Sequence, residues 1–389
     1  MRMTDEEKAI HLFCEKIQSV CRQFPFYDLS STISEYYFDE NLRSENAFEF
    51  IASITSNKML RNVLAGNNML YAGIREKTPL YVHALIFNSY LCGSYKIVTG
   101  GAQLIRQMTA NLRKKGVSIM THSKVIKANY NPDGSISGIL LESGKQVIAN
   151  KYISAIHPSS TIELFGNDRF PKPWVKRVNK LEQTTSAFIL QLTFKPQSFP
   201  YLNYNIYHFF NDDVWDTLNY TDENWPLGFF VFTPVPLKQK QYAESLSVMC
   251  YMKPDEVQAW QHTHNTTAQP AFRGETYEQF KRRKEQQVLT KLETLFPDIK
   301  QHILNVYSST PLTFRDYTGS NDGYMYGILK NGQSPMDTIL KPKTKFQNLW
   351  LTGQNIVFHG ILGTTISAFI TCFEFTDRNK LIEKIHTSA

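Results

Sequence analysis

The sequence predicts an α/β fold interrupted by a region of α+β character. Residues 96–156 read as a strand, a helix closed by Gly116 and then a meander of short strands, which is an α/β arrangement. Residues 348–373 show the α/β pattern again, with a short apolar strand, a glycine-rich loop and a helix expected to begin near Thr364. Between them, residues 160–309 mix apolar strand candidates with one long polar helix.

The individual elements follow from periodicity and turn residues. Apolar residues recur at helical spacing from Ile10 to Cys21, after a candidate N-cap at Thr4 with Glu7 three residues on. Further helices are expected over residues 46–64, 79–91 and 274–296. Strands are expected over residues 117–120, 124–130, 136–141, 147–156, 187–194, 206–210, 228–233, 246–252 and 348–351.

Length and composition limit the number of domains and the classes of ligand and partner. At about 150 residues per domain, 389 residues predict two or three domains. Aromatic residues make up 13% of the chain, which suits either an apolar ligand tunnel or a large core with half-buried strands. The net charge is +7, and no aromatic-and-basic pattern indicates nucleic acid. The one dense basic run, residues 281–284, reads as a solvated helix face, with anionic lipid headgroups as the alternative partner.

Cysteine usage and apolar runs bear on location. The five cysteines are far apart except Cys14 and Cys21, whose spacing of seven on one helix suits neither a disulfide nor a zinc site. Reduced cysteines indicate a cytoplasmic setting. Residues 1–10 lack the apolar core of a signal peptide, and no run of about 18 apolar residues occurs. A peripheral membrane contact stays open.

The strongest chemical feature is a strand, a small-residue turn, a glycine-rich loop and a helix over residues 349–373. Unpaired N–H groups at a helix N-terminus bind phosphate well. Gly353 follows the strand, where open α/β sheets usually bind ligands, and Gly360 and Gly363 leave room for a ligand against the backbone. The alternative is that these glycines only ease the packing of helix on strand.

Three segments together resemble one family of flavoproteins. They are residues 95–101 (YKIVTGG), residues 309–317 (STPLTFRDY) followed by 323–327 (GYMYG), and residues 349–354 (LWLTGQ) with 360–363 (GILG). The chain resembles the phytoene desaturase, carotenoid isomerase and all-trans-retinol saturase family of FAD-dependent oxidoreductases. The resemblance implies a two-domain, glutathione-reductase-like FAD fold that is N-terminally incomplete, with an interleaved α+β substrate domain. The FAD domain would comprise residues 95–159 and 310–389, and the substrate domain residues 1–94 and 160–309.

The resemblance also implies a cofactor, a substrate class and residue roles. FAD would act on carbon–carbon double bonds of an apolar carotenoid- or retinoid-like polyene, with an unidentified electron donor or acceptor. Val125 would contact the adenine end through its backbone, and the ribityl and phosphate groups would lie along Gly353, Gln354 and Asn355. The residues expected under the pyrimidine edge of the flavin are Gly360, Ile361, Leu362, Gly363 and Thr364.

Three further residues are assigned to the substrate side, and two patterns depart from the family. Tyr324 and Tyr326 would line the polyene channel, and His359 would face flavin or substrate. The family often carries an acidic residue near positions 354–355 and more glycine than Ile361 and Leu362 provide.

The sequence contains no G-x-G-x-x-G motif, with which the family opens. The expectation is therefore a truncated reading of a longer gene, with half of a split protein or a decayed paralogue as alternatives. A non-enzymatic remnant that binds an apolar ligand or a partner protein is the competing function. An amine-oxidase-like flavoenzyme with a polar substrate is a third possibility. His262 and His264 are expected in a solvated loop rather than a metal site, and His157 in a structural role bordering the cofactor.

Overall fold

A computed structural model of the chain describes residues 3–24, 27, 40–237 and 241–388. Within these residues the helices are α1 (Asp5–Gln23), α2 (Glu40–Ser44), α3 (Ala47–Ile54), α4 (Lys58–Leu64), α5 (Leu80–Cys92), α6 (Gly101–Lys114), α7 (Pro158–Phe165), α8 (Lys172–Lys180), α9 (Glu275–Leu292), α10 (Ile299–His302), α11 (Pro311–Thr318), α12 (Gly360–Cys372) and α13 (Arg378–Ser388). The strands are β1 (Val125–Tyr130), β2 (Ile136–Leu141), β3 (Gln146–Val147), β4 (Tyr152–Ser154), β5 (Ser186–Phe194), β6 (Ile206–Phe209), β7 (Gly228–Phe232), β8 (Ser245–Met252), β9 (Ile303–Ser309) and β10 (Leu349–Leu351).

The described strands form three sheets. The largest is antiparallel, with strand order β6-β7-β8-β5-β9. A three-stranded antiparallel meander has the order β1-β2-β3. The third sheet pairs β10 with β4 in parallel, which brings residues about 200 positions apart side by side. The α/β and α+β textures expected from the sequence are therefore both present.

The five-stranded sheet separates two apolar layers because its side chains alternate between faces. Phe188, Leu190 and Leu192 of β5 are fully buried in the main core, which also contains Val288 of α9. The opposite face, which includes Tyr251, packs against a smaller cluster of residues. The remaining members of that cluster are Met69, Ala72, Ala187, Ile189, Phe209, Leu218, Phe230, Met249, Phe314, Met325 and Tyr326.

The N-terminal helices form as expected with one break. The Thr4 hydroxyl accepts the Glu7 N–H, and the Glu7 carboxylate accepts the Thr4 N–H, so the predicted capping box begins α1. The single helix predicted over residues 46–64 is wrong, because it is two helices. The Asn57 side chain accepts the Leu60 N–H at 3.1 Å and starts α4, while Thr55 ends α3 in an extended conformation.

Four strand predictions also need correction. Residues 117–120 form no strand, and the strand expected over 147–156 is two short ones, β3 and β4. Residues 96–99 form no strand: a single bridge joins Val98 to Val235, and Thr99 lies in a turn with φ +60°. Strand β9 was missed, because its polar edge sequence shows no clear alternation and its pairing with β5 supplies the hydrogen bonds.

Helix α6 carries an uncovered apolar face. It has no buried residue, and Ile105 is 63% exposed and Met108 53% exposed. Ile153 of β4 is also 52% exposed, so apolar surface continues onto the parallel pair. None of the described helices combines the length and apolarity that a bilayer crossing requires.

The basic run at residues 281–284 is not wholly a solvated face, and that interpretation is corrected at Lys284. This side chain is fully buried in α9, and its ammonium lies 2.8 Å from Asp222 Oδ1 and 2.6 Å from Glu256 Oε2. The ammonium also lies 4.4 Å from the centroid of the Trp225 ring. A buried ammonium without these acids would lack compensation for its lost hydration.

We expect the double variant Asp222→Asn/Glu256→Gln to lose about 2–4 kcal/mol of unfolding free energy, because it strands the Lys284 charge. Asp222 is half exposed, which keeps the loss below that of a wholly buried pair. Adding Lys284→Met should restore at least half of the loss in urea denaturation. Glu278→Gln, which removes an exposed partner of Lys281, is the matched control. A triple variant no more stable than the double variant would contradict the electrostatic explanation.

Candidate functional site

The carboxyl ends of the two parallel strands open into one cavity of about 930 Å³. Leu351 of β10 pairs with Ser154 of β4, so both strands end at the same level. The loops that follow them line the cavity, together with residues from the chain before β5, the loop after α11 and helix α12. Ligands of open α/β sheets bind at such strand ends, and the volume lies in the range of small-molecule sites.

Five of the predicted site residues line this cavity. They are Gly353, Gln354, Asn355, Thr364 and Tyr324. The structure therefore brings the turn after β10 together with the first turns of α12 and with the loop that contains Tyr324. Whether each residue contacts a cofactor or a substrate stays a prediction.

Helix α12 begins at Gly360 and not near Thr364, so the predicted glycine-rich loop is the first turn of the helix. Ile361 and Leu362 supply ordinary helix-forming residues there, and both side chains are exposed. The Thr364 hydroxyl donates to the Gly360 carbonyl oxygen at 2.7 Å, which satisfies it within that turn. His359 precedes the helix in an extended conformation, without a side-chain cap.

The glycines differ in what they do. Gly353 has φ +95°, and a Cβ there would lie 3.3 Å from the Ala155 carbonyl oxygen of the neighbouring strand end. A Cβ on Gly363 would lie 2.4 Å from the Phe358 carbonyl carbon and oxygen, so tight packing requires this glycine. Gly360 has φ +75° and open space around its Cβ position. Packing thus requires Gly363, whereas no close contact requires glycine at position 360.

Asn355 positions a neighbouring loop. Its buried side-chain oxygen accepts the Ile328 N–H at 3.0 Å. A Cβ on Gly327 would lie 2.2 Å from that oxygen, so only glycine fits beside it. The side-chain oxygen of Asn355 is therefore engaged with residues 327–328.

His359 and Tyr326 lie behind the cavity, at the turn formed by residues 68–70. His359 Nε2 donates to the Leu70 carbonyl oxygen at 2.9 Å, and the Tyr326 hydroxyl donates to Met69 at 2.9 Å. Tyr251 completes the set by donating to Asn68 at 3.2 Å. The two predicted rings are in contact, with centroids 4.5 Å apart and planes tilted by 31°. Tyr251 and the 68–70 turn were not predicted, because no local sequence pattern joins positions so far apart.

Burial controls the titration of this group. Burial is the main cause that lowers the pKa of His359 to about 4, and the Lys330 ammonium lowers it further against the opposing effect of the Leu70 hydrogen bond. Burial also raises the pKa of Tyr326. His359 is therefore neutral and Tyr326 is protonated near neutral pH. Both shifts move the pKa away from neutral pH, so neither group is tuned for proton transfer there.

His157 lines the cavity and also has a structural role. Its ring accepts the Ser159 N–H at 3.2 Å at the start of α7, and Nε2 lies 3.1 Å from the Gln183 side-chain oxygen. Burial lowers its pKa, while the Gln183 hydrogen bond raises it. Among the described residues no group of three His, Cys, Asp or Glu side chains could hold a metal ion, and His262 and His264 lie in an exposed loop.

Val125 does not line this cavity. It begins β1 beside Lys124, which lines a second and wider cleft of about 1370 Å³ with Glu142 and Asp316. The two spaces share residues 320–322, so they adjoin. The backbone contact predicted for Val125 would fall at the far end of an extended ligand.

No family model matches the chain. The all-trans-retinol 13,14-reductase of Danio rerio is 23% identical over 353 residues, covering 85% of this chain and 57% of that protein. The human protein of the same name is 24% identical over 361 residues, covering 86% and 58%. The chain thus spans a little more than half the length of these relatives.

Solved structures agree in fold at low identity. A conjugated-linoleic-acid-producing fatty acid isomerase from P. acnes superposes with a TM-score of 0.56 at 11% identity, covering 95% of this chain and 74% of that one. An oxidoreductase from Methanosarcina mazei gives 0.52 at 12% identity, covering 93% and 73%. The class is therefore the two-domain, glutathione-reductase-like FAD-oxidoreductase fold. The relatives confirm the resemblance to the phytoene desaturase, carotenoid isomerase and all-trans-retinol saturase family.

We expect Gly363→Ala to lower the unfolding free energy by about 1–3 kcal/mol, because the new Cβ must displace the Phe358 carbonyl group. Gly101→Ala is the matched control, since Gly101 also lies in the first turns of a helix with open space around its Cβ position. Its stability should be unchanged or raised by up to about 1 kcal/mol. Equal effects of the two substitutions in urea denaturation would show that packing at Gly363 is not limiting.

Stability should fall with acidification below about pH 6.5. An unfolded histidine binds a proton near pH 6.5, whereas burial lowers the pKa of folded His359 to about 4 and of folded His83 to about 3. The unfolded state therefore takes up protons first, at up to about 1.4 kcal/mol per pH unit for each histidine. The contribution is intact above the unfolded pKa and is lost as the pH falls towards the folded values.

The corresponding variant is His359→Gln, measured by urea denaturation between about pH 6.5 and about pH 5. It should reduce the pH-dependent loss by up to about 2 kcal/mol, because one buried titrating group has been removed. His11→Gln, at an exposed position, should leave the slope as it is in the unchanged protein. The same slope in both variants would contradict burial of a neutral His359.

Proposed function

We propose that this protein is an FAD-dependent oxidoreductase that acts on carbon–carbon double bonds of an apolar polyene lipid. The observation that carries the proposal is the convergence of both parallel strand ends and the side of α12 with Thr364 and Ala368 on one cavity. The backbone turn at residues 352–355 and the unpaired N–H groups of α12 suit a phosphate-bearing, ring-containing ligand. The bound flavin would supply the hydride chemistry.

The chain's own residues would orient this cofactor and shield it from water. Gly353 lets the turn after β10 run close to the Ala155 carbonyl oxygen, and Thr364 and Ala368 form the α12 wall of the cavity. The dipole of α12 would stabilise negative charge at its N-terminus. Tyr326 and His359 would hold the floor rigid, since each is bonded to the 68–70 turn.

The names of similar proteins support the substrate class. The relatives are all-trans-retinol 13,14-reductases, and one protein with the same fold is a fatty acid isomerase. An electron donor or acceptor and a peripheral contact with a lipid surface belong to the same proposal.

A second candidate is a partner-binding protein without its own redox activity. The specific observation in its favour is the exposed apolar face of α6 and β4, because monomeric proteins rarely leave such a helix face uncovered. The two candidates differ in whether the chain holds FAD by itself.

We expect the purified chain to bind FAD, and Thr364→Glu to weaken that binding at least about tenfold. A carboxylate in the first turns of α12 is compatible with the helix dipole, so the variant should fold. It would project into the cavity and repel the anionic cofactor. Equilibrium dialysis and flavin fluorescence polarisation both measure the affinity.

Thr365→Glu is the matched control, because the neighbouring side chain is exposed and does not line the cavity. Its FAD affinity should stay within about twofold of the unchanged protein. No FAD uptake by the unchanged, folded chain would favour the partner-binding candidate. Equal weakening by both substitutions would place the cofactor elsewhere.

A further inference from the structure

A second, smaller cavity lies on the other side of α12. Its volume is about 90 Å³, and it shares no lining residue with the strand-end cavity. Thr364 and Ala368 of α12 face the first cavity, whereas Ile370 faces the second. Most of the second lining is apolar, with Pro79, Leu340, Ile356 and Val357 among its members. The proposed cofactor site therefore does not account for it.

Lys330 is the charged group of this cavity that lacks an anionic partner among the described residues. Its ammonium has three donors and makes one hydrogen bond there, to the Thr338 carbonyl oxygen at 3.1 Å. A second cation, Arg43, also lines the cavity. Burial, with a smaller effect of Arg43, lowers the pKa of Lys330 to about 8, so the ammonium form still predominates near neutral pH.

A cation held among apolar side chains selects for an anion. Moving an ammonium from water into such surroundings is costly unless it is paired and hydrogen-bonded. One carbonyl oxygen satisfies a single donor and supplies no full negative charge. A carboxylate would satisfy both needs, and hydrogen bonds between charged groups are about twice as strong as neutral ones.

The cavity also limits the size of the ligand. One water-sized atom occupies about 10–15 Å³ of cavity volume. The cavity of about 90 Å³ therefore holds about six to nine non-hydrogen atoms. The lining beyond Lys330 offers mainly carbon atoms, which suits an unbranched hydrocarbon chain.

We propose that this cavity binds a short apolar carboxylate, of about six to nine non-hydrogen atoms, with its carboxylate on Lys330. The hydrocarbon part would lie against Leu340, Ile356 and Val357. The site lies on the Ile370 side of α12, away from the strand-end cavity. The proposal is therefore independent of the proposed redox function and of whether the chain binds FAD.

The test compares hexanoate with 1-hexanol, which share a six-carbon chain and differ in charge. We expect the unchanged protein to bind hexanoate at least about tenfold more tightly than hexanol, in ligand-observed NMR or calorimetric titration. Tenfold corresponds to about 1.4 kcal/mol, the lower end of what a charged hydrogen bond contributes. This comparison needs no variant, so a folding defect cannot obscure it.

Variants then test whether Lys330 causes the preference for hexanoate over hexanol. Lys330→Met keeps an unbranched side chain, and it should bring the two affinities within about twofold by weakening hexanoate alone. Lys341→Met changes an exposed lysine outside the lining and should retain the full preference. Equal binding of the two ligands by the unchanged protein, or a preference that survives Lys330→Met, would overturn the proposal.

Discussion

Three successive carbonyl groups at residues 68–70 connect the separate parts of this molecule. Tyr251 comes from the five-stranded sheet, Tyr326 from the loop after α11 and His359 from the residue before α12, and each donates to one of these carbonyls. The turn itself belongs to the N-terminal helical region. Losing the Tyr326 or the His359 donor would remove that partner from the Met69 or the Leu70 carbonyl, at a cost of about 1–3 kcal/mol. The Asn68 carbonyl also accepts the N–H groups of Tyr71 and Gly73. The three side-chain hydrogen bonds therefore fix the five-stranded sheet, the loop after α11 and α12 in position against the N-terminal helices.

The sequence predicts elements well where a local pattern determines them. The Thr4 capping box, the Gly116 helix end and the apolar runs of β5 and β8 each depend on residues close in the chain. Prediction from sequence fails where pairing with a distant strand determines the element. Strand β9, whose edge sequence is polar, is the example. The site divides in the same way. The turn after β10 could be predicted, whereas the approach of the loop after α11 and the 68–70 turn depends on long-range contacts.

The glycine motif shows why a sequence signal and a structural requirement can coincide. Gly363 packs on the Phe358 carbonyl, and Gly327 leaves room for the Asn355 side-chain oxygen, so both glycines would be needed without any ligand. Gly353 and Gly360 have positive φ angles, and Gly360 has open space around its Cβ position. The Gly353 N–H donates to the Ser367 hydroxyl at 3.0 Å, so of these two glycines Gly360 is the one without a close contact. The ligand argument is thus carried by the strand ends and by part of the motif.

Helix α12 separates two chemically different environments. The side with Thr364 faces a broad cavity that includes His157, Gln183 and other polar groups, whereas the side with Ile370 faces a narrow apolar cavity beside Lys330. The Lys330 ammonium lowers the pKa of His359, so charge on one side affects a group at the start of the helix. An anion paired with Lys330 would weaken that effect by partly neutralising it.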